Sequence, residues 1–257
     1  MKTILLTISY DGTDFCGWQK QKPTKTGAVR TVQEELEKAL EIIHKEPVQA
    51  SGSGRTDSGV HANYQAVTFI SPIDSIPVEK YIPAINSLLP HDIRVMTAQI
   101  VPDGFHARYN ATSRSYRYFM HTSETPAANE MRYVWPLFRK PNLEKLNAMT
   151  AYLKGEIDCT TFSAAGDKSV SKFRYLENAF FYYQDEKLVF EIEANAFLWK
   201  MVRSITGTLI HFEKMGFPPE YFKEVLDAKD RKLAGPTAPP TGLFLHEVKF
   251  DGIRRAP

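Results

Sequence analysis

The chain has 257 residues, 43% hydrophobic and 24% charged, enough to bury roughly 70–75% of its unfolded surface without disulfides or a structural metal. Its two cysteines, Cys16 and Cys159, stand far apart and in no Cys-x-x-Cys pair, which argues against a zinc site and for a reducing compartment. No apolar run reaches membrane-spanning length and the opening turns polar too soon for a signal peptide, so a cytoplasmic protein is expected, and a net charge of only +2 does not by itself ask for a nucleic-acid partner.

Lys2–Tyr10 alternates well enough for a first strand, and a polar loop follows over Asp11–Gly27. Thr31 to His44 reads as a helix: Thr31 and Glu34 have capping-box spacing, and Val32, Leu36, Leu40 and Ile43 fall on one face. A short strand near Val48–Ala50 leads into the glycine-rich segment Ser51–Gly59. Asn63–Ile70 reads as a strand, Val78–Leu89 as a helix, Ile93–Ile100 as a strand, and the segment after it ends in a strand at Tyr116–Met120. In the second half a helix is expected over Leu143–Leu153, with strands over Asn178–Gln184 and Leu188–Ala194. A long apolar helix from about Ala196 to Lys214 is ended by Gly216. A short helix over Tyr221–Leu226, a Pro-rich loop over Gly235–Thr241 and a last strand over Leu243–Phe250 complete the chain. Each half mixes helices and strands in a similar order. The expected architecture is two α/β halves, 1–105 and 106–257, meeting across a shared sheet with a cleft between them.

The distribution of charge says more than its sum. From Phe105 to His121 there are three arginines, two histidines, three tyrosines and no acid. Lys20, Lys22, Lys25 and Arg30 form a second acid-free stretch. Basic groups bind phosphates and interleaved aromatics give bases a surface to stack on, although a solvated basic face has the same composition. In Ser51–Ala62, SGSGRTDSGVHA, glycines 52, 54 and 59 allow sharp turns and close approach of a ligand. Asp57 and Arg55 sit two residues apart inside that turn. A surface turn with a local ion pair fits the segment as well as a functional loop does. A nucleotide-binding phosphate loop fits less well, because the Gly-Lys-Ser/Thr ending is missing and a central acid repels phosphate. Between Met201 and Phe212 the one permanently charged residue is Arg203. Phe197, Met201, Ile205, Thr208, Leu209 and Phe212 make one apolar face, with Trp199, Val202 and Ile210 opposite. A helix apolar nearly all round is buried, so this guanidinium needs an acidic partner or must snorkel to solvent.

Several segments, in order, resemble the tRNA pseudouridine synthase A family. Gly54-Arg55-Thr56-Asp57-Ser58-Gly59-Val60-His61-Ala62 is similar to its central motif, departing only at Ser58, where alanine is usual. Tyr10-Asp11-Gly12 with Phe15-Cys16-Gly17-Trp18-Gln19 resembles the family's opening. Phe105-His106-Ala107-Arg108 with Tyr116-Arg117-Tyr118 resembles its middle motif, and Ala194-Asn195-Ala196-Phe197 with Met201-Val202-Arg203 its third. Gly242-Leu243-Phe244-Leu245 resembles its closing strand. Trp199-Lys200 departs from the bulky-then-histidine pair common after the third motif, which bears on local RNA contacts and not on catalysis.

The resemblance implies the pseudouridine synthase fold and its reaction. The uridine N1–C1′ bond is cleaved, the base is turned and rejoined through C5, and neither metal nor cofactor takes part. Carried over by motif, Asp57 is the catalytic carboxylate, acting as a nucleophile or taking a proton from the sugar. Tyr116 is the tyrosine that stacks on the flipped uracil; Tyr118 points the same way from the strand and could be confused with it. Arg203 is expected to lie within about 4 Å of the Asp57 carboxylate. Arg55, Arg108, Arg114 and Leu243 are expected at the substrate, with tRNA positions 38, 39 and 40 of the anticodon stem-loop as targets and a homodimer as the acting species. His61 and His106 are read as structural hydrogen-bonders and Cys16 as packing. The rival reading is a non-catalytic structured-RNA-binding protein, which leaves Asp57 in its glycine-rich turn unexplained.

Overall fold

A computed structural model describes residues 1–22 and 29–255; Lys25 and Gly27 of the expected basic stretch and opening loop lie outside the described residues. In chain order the elements are strand β1 (Lys2–Tyr10), helix α1 (Val32–His44), β2 (Ser51–Gly52), β3 (His61–Ser71), α2 (Tyr81–Leu88), β4 (Ile93–Val101), β5 (Ser113–His121), β6 (Trp135–Pro136), α3 (Leu143–Thr150), β7 (Gly155–Asp158), β8 (Phe173–Gln184), β9 (Lys187–Ala194), α4 (Met201–Met215), α5 (Pro219–Asp227) and β10 (Leu243–Lys249). They form two compact units, Met1–Ala111 with Phe244–Asp251, and Thr112–Leu243 with Gly252–Pro257. The class is mixed α/β, with strands paired mostly antiparallel. No helix among the described residues is long and apolar enough to cross a membrane.

In the first unit β1 lies between β4 and β3, antiparallel to both. Its even positions Ile4, Leu6 and Ile8 are fully buried, as alternation demands. Leu5, at an odd position, is buried as well, in a cluster with Ala66 and Ala107 that Phe105, Val248 and Phe250 extend. A strand covered on both faces is apolar nearly throughout, which is why LLTI-type runs occur here. β10 returns to this unit and pairs in parallel with β3, Phe244 opposite His61 and Leu245 opposite Ala62. Helix α1 starts where its capping box places it: Thr31 Oγ1 accepts from the Glu34 amide at 3.4 Å. Val32, Leu36, Ala39 and Leu40 form its buried face, while Ile43 is only half-buried.

The strand expected at Val48–Ala50 is instead extended coil, and pairing with β3 begins at Ser51. Side chains of α1 explain the shift. Glu37 accepts from the Ala50 amide at 3.2 Å and Gln33 donates to the Ala50 carbonyl at 2.9 Å, so those backbone groups are satisfied without a strand partner.

In the second unit the strand order is β5-β9-β8-β7, all antiparallel neighbours, with β6 parallel on β5. β6 and β7 were not visible in the sequence, being two and four residues long, too short to display a period. The helix expected from Ala196 begins only at Met201. The delay has a local cause: Lys200 takes a left-handed φ of 59°, Trp199 N–H donates to Asp167 at 2.7 Å, and Trp199 C=O accepts from Ala164 at 3.1 Å. Within α4, Thr206 and Thr208 are fully buried because their hydroxyls donate back to Val202 O and Ser204 O at 2.8 and 2.7 Å. Gly207 lets the Pro-rich loop lie directly on the helix, since a Cβ there would stand 1.9 Å from Pro236 O.

Candidate active site

Asp57 stands in the loop joining β2 to β3, and the first family-like segment is the bed that loop lies on. Gly12 packs so tightly beneath it that a Cβ would come within 2.0 Å of Val60 O. Gly17, at φ +91°, sits beneath Thr56, where a Cβ would meet its carbonyl at 2.5 Å. Across the same surface Trp18 N–H donates to Thr56 O at 3.2 Å and Gly59 N–H to Phe15 O at 3.2 Å. Tyr10 and Thr56 share a buried hydroxyl–hydroxyl bond of 2.8 Å. On the other side Gln65, fully buried, accepts from Ser53 Oγ at 2.6 Å and donates to Gly54 O at 2.7 Å. A loop so fully hydrogen-bonded has little freedom left. The half-buried Asp57 side chain is therefore presented from a fixed backbone, and Val60 N–H closes the turn on Asp57 O at 3.1 Å.

The two motif histidines serve the scaffold. His61 is fully buried, accepts from Gly12 N–H through Nδ1 at 3.0 Å and stacks on Phe244 with centroids 4.5 Å apart. His106 accepts from the Arg108 amide at 3.0 Å, and burial together with neighbouring Arg108 holds its imidazole pKa below the ordinary value. Neutral, it orders a loop in which Ala107 N–H reaches Thr68 Oγ1 at 3.2 Å.

The positively charged residues divide into those held by the fold and those facing water. Arg30 is held by a bidentate pair with Asp92 at 2.7 and 2.9 Å. Lys20 meets Glu37 at 3.2 Å and Arg117 meets its cross-strand neighbour Glu191 at 2.7 Å. Arg114 is only 9% exposed and donates to Asn195 O at 2.8 Å. Arg55 and Arg108 are exposed. Arg55 Nε donates to Gln19 at 3.1 Å, and Arg108 lies over the Tyr109 ring at 5.7 Å.

In the second unit Tyr116 sits on β5 opposite Ile192, its ring edge-to-face with Phe197 at 5.2 Å. Tyr116 is buried, 8% exposed; Tyr118 shares its face. It is fully buried, its hydroxyl donates to Pro239 O, and burial pushes that hydroxyl above its usual range against the opposing influence of Arg203. A tyrosine whose hydroxyl is committed to a carbonyl inside the core is unavailable to a ligand. Arg203 is half-buried on α4 and tied to the Pro-rich loop twice: Nε donates to Ala238 O at 2.8 Å, and its carbonyl accepts from Ala238 N–H at 3.0 Å. Leu243, buried, follows Gly242, whose positive φ of 86° and close approach to Phe119 O leave no room for a side chain.

Tyr10, Gln65 and Asp167 were not singled out by sequence reasoning, although Tyr10 lies inside a motif. Among the described residues no group of three or more His, Cys, Asp or Glu side chains is placed to hold a metal ion.

A family profile described as tRNA pseudouridine synthase matches residues 6–110 and 149–251. The chain is 56% identical over 259 aligned residues to tRNA pseudouridine synthase A of Treponema denticola, covering 100% of this chain and 96% of that protein. It is 52% identical to the protein of that name from Treponema pallidum, over 92% of this chain and 84% of the other, and 42% identical to that of Bacillus subtilis, over 95% and 98%. With the Asp57 loop and its supporting motif intact and both matched stretches spanning most of the sequence, the chain belongs to the tRNA pseudouridine synthase family.

Proposed function

We propose that this enzyme isomerises uridine to pseudouridine at positions 38, 39 and 40 in the anticodon stem-loop of tRNA, acting as a cytoplasmic homodimer without metal or cofactor. Residues 1–105 supply the carboxylate loop, and residues 106–257 supply the tyrosine and arginine that serve the reacting base. Asp57 is the catalytic carboxylate. It adds to the substrate or removes a sugar proton while offsetting positive charge at C1′. Tyr116, whose ring is braced by Phe197, stacks on the uracil once it has left its helix, an extrusion that costs roughly a few kcal/mol. Arg203 completes the catalytic set. Arg55 and Arg108, both exposed, meet phosphates, Arg114 adds one close contact, and Leu243 supports the base.

The observation that carries this reading is the rigidity of the loop that presents Asp57: turns, amides and two glycine approaches fix the backbone and leave one half-buried carboxylate projecting from it. An unmodified tRNA transcript, incubated with the protein and no nucleotide or metal, should gain pseudouridine. Asp57→Asn should abolish that conversion and keep tRNA affinity within about tenfold, because shape is retained and charge is removed. Wild-type-like conversion by the purified variant would sink the assignment. RNA binding without conversion by the wild type would leave a binding protein.

A further inference from the structure

The segment that braces Tyr116 also carries an unusual surface residue. Phe197 meets the Tyr116 ring edge-on; two residues later Trp199 leaves 48% of its surface exposed. A single exposed apolar side chain is ordinary, but the backbone that carries this one is hydrogen-bonded on both sides. The Trp199 backbone N–H donates to Asp167 at 2.7 Å and the backbone C=O accepts from the Ala164 amide at 3.1 Å. Asp167 is itself fixed by Lys172 at 2.5 Å and by the Ser169 amide at 2.9 Å. Lys200 adopts left-handed backbone geometry, φ 59°, and places its ammonium over the indole, 4.9 Å from the ring centroid. An L-residue in that region carries strain that the surrounding bonds must hold. The result is a half-exposed aromatic ring on a fixed backbone with a cation over one of its faces. That pairing suits a nucleobase and its phosphate.

We propose that Trp199 and Lys200 form a second nucleobase platform, which stacks an unpaired base of the RNA other than the reacting uridine while Lys200 meets a flanking phosphate. The proposal rests on the functional reading above and assigns it a further contact: the indole gives stacking area, Lys200 gives charge, and Asp167 holds the Trp199 backbone. Two residues from Phe197, the platform shares a rigid segment with the support of the catalytic tyrosine, so a base held here fixes the RNA relative to the uracil that Tyr116 receives.

The chain has three tryptophans, of which Trp18 is 2% exposed and Trp135 half-buried. Stacking on Trp199 should therefore quench the fluorescence of the wild type when an unmodified tRNA transcript is added, and Trp199→Phe should lose most of that quenching. Trp199→Ala should raise the dissociation constant for the transcript about tenfold and raise KM more than it lowers kcat, whereas Trp199→Phe should recover most of the affinity. Lys200→Gln should flatten the slope of log affinity against log salt by nearly one. Wild-type affinity and quenching in Trp199→Ala, in a preparation whose parent converts uridine, would overturn the platform and leave the catalytic reading intact. Loss of affinity that phenylalanine does not restore would assign Trp199 to packing and equally overturn it. A parent that neither binds nor converts the transcript would refute the functional reading instead.

Discussion

Asp167 and Asp57 show how one residue type is put to opposite uses. The Asp167 side chain is 5% exposed. Burial alone would push its carboxyl upward, but Lys172, the Trp199 amide and Ser169 outweigh that and hold it well below the usual carboxylate range. Its folded value lies under its unfolded value. The ionised form therefore contributes stability above about pH 4, and that contribution is lost as pH falls toward the folded value. Asp167→Asn should cost about 2 kcal/mol at neutral pH, with the gap to wild type closing as pH drops below about 4. Urea unfolding at pH 7 and pH 3.5 measures it; a gap independent of pH would deny the charge its role. The cysteines differ in the same physical way. Burial pushes the Cys159 thiol up to about 12, while Cys16 is exposed. An aromatic disulfide reagent at pH 8 should titrate one thiol in the folded protein and two in urea. Of the candidate site, the Asp57 loop stands out in the sequence because its motif is long and specific. Asp167 does not, because nothing in GDKSV announces that its carboxylate turns inward to hold a backbone amide thirty-two residues away.

At the scale of elements, the sequence located helices and strands well wherever one face is buried. β1, α1 and the end of α4 at Gly216 fall where alternation, capping and a left-handed glycine put them. It failed where backbone groups find side-chain partners from elsewhere, as at Ala50 and Trp199, because such bonds leave no periodic trace. Glycines in the opening and central motifs test the same principle. Gly12→Ala would drive a Cβ to 2.0 Å from Val60 O and should cost about 3 kcal/mol along with conversion, though Asp57 is untouched. Gly54 has nothing within 4 Å of its Cβ direction, so Gly54→Ala should change thermal stability little. Paired melts and pseudouridine assays separate the two; a neutral Gly12→Ala would mean the opening motif does not support the loop.

Over the whole molecule, the pairing of β10 with β3 was beyond the reach of local pattern, since Asn63 and His246 meet across 183 positions of sequence. Charge was legible only in part, for a related reason. The basic segments stand out in the sequence, yet the acids that neutralise them come from distant elements: Glu191 for Arg117, Asp92 for Arg30, Glu37 for Lys20. With a net charge of +2, affinity for tRNA draws on cations exposed to water, Arg55 and Arg108 among them. Each such cation that displaces a counterion from a phosphate lowers the slope of log affinity against log salt by about 0.9 on a duplex and 0.7 on a single strand. Arg108 is exposed beside Tyr109, so Arg108→Ala should flatten that slope by nearly one while leaving conversion at saturating tRNA near wild type. Arg117→Ala, which frees Glu191 on the neighbouring strand, should leave the slope unchanged within error and lower stability by about 1 kcal/mol instead. Filter binding across 50 to 300 mM salt decides between them. Equal flattening by both variants would show that Arg117 exchanges Glu191 for phosphate on binding. No flattening by either would remove the basic segment from the RNA surface.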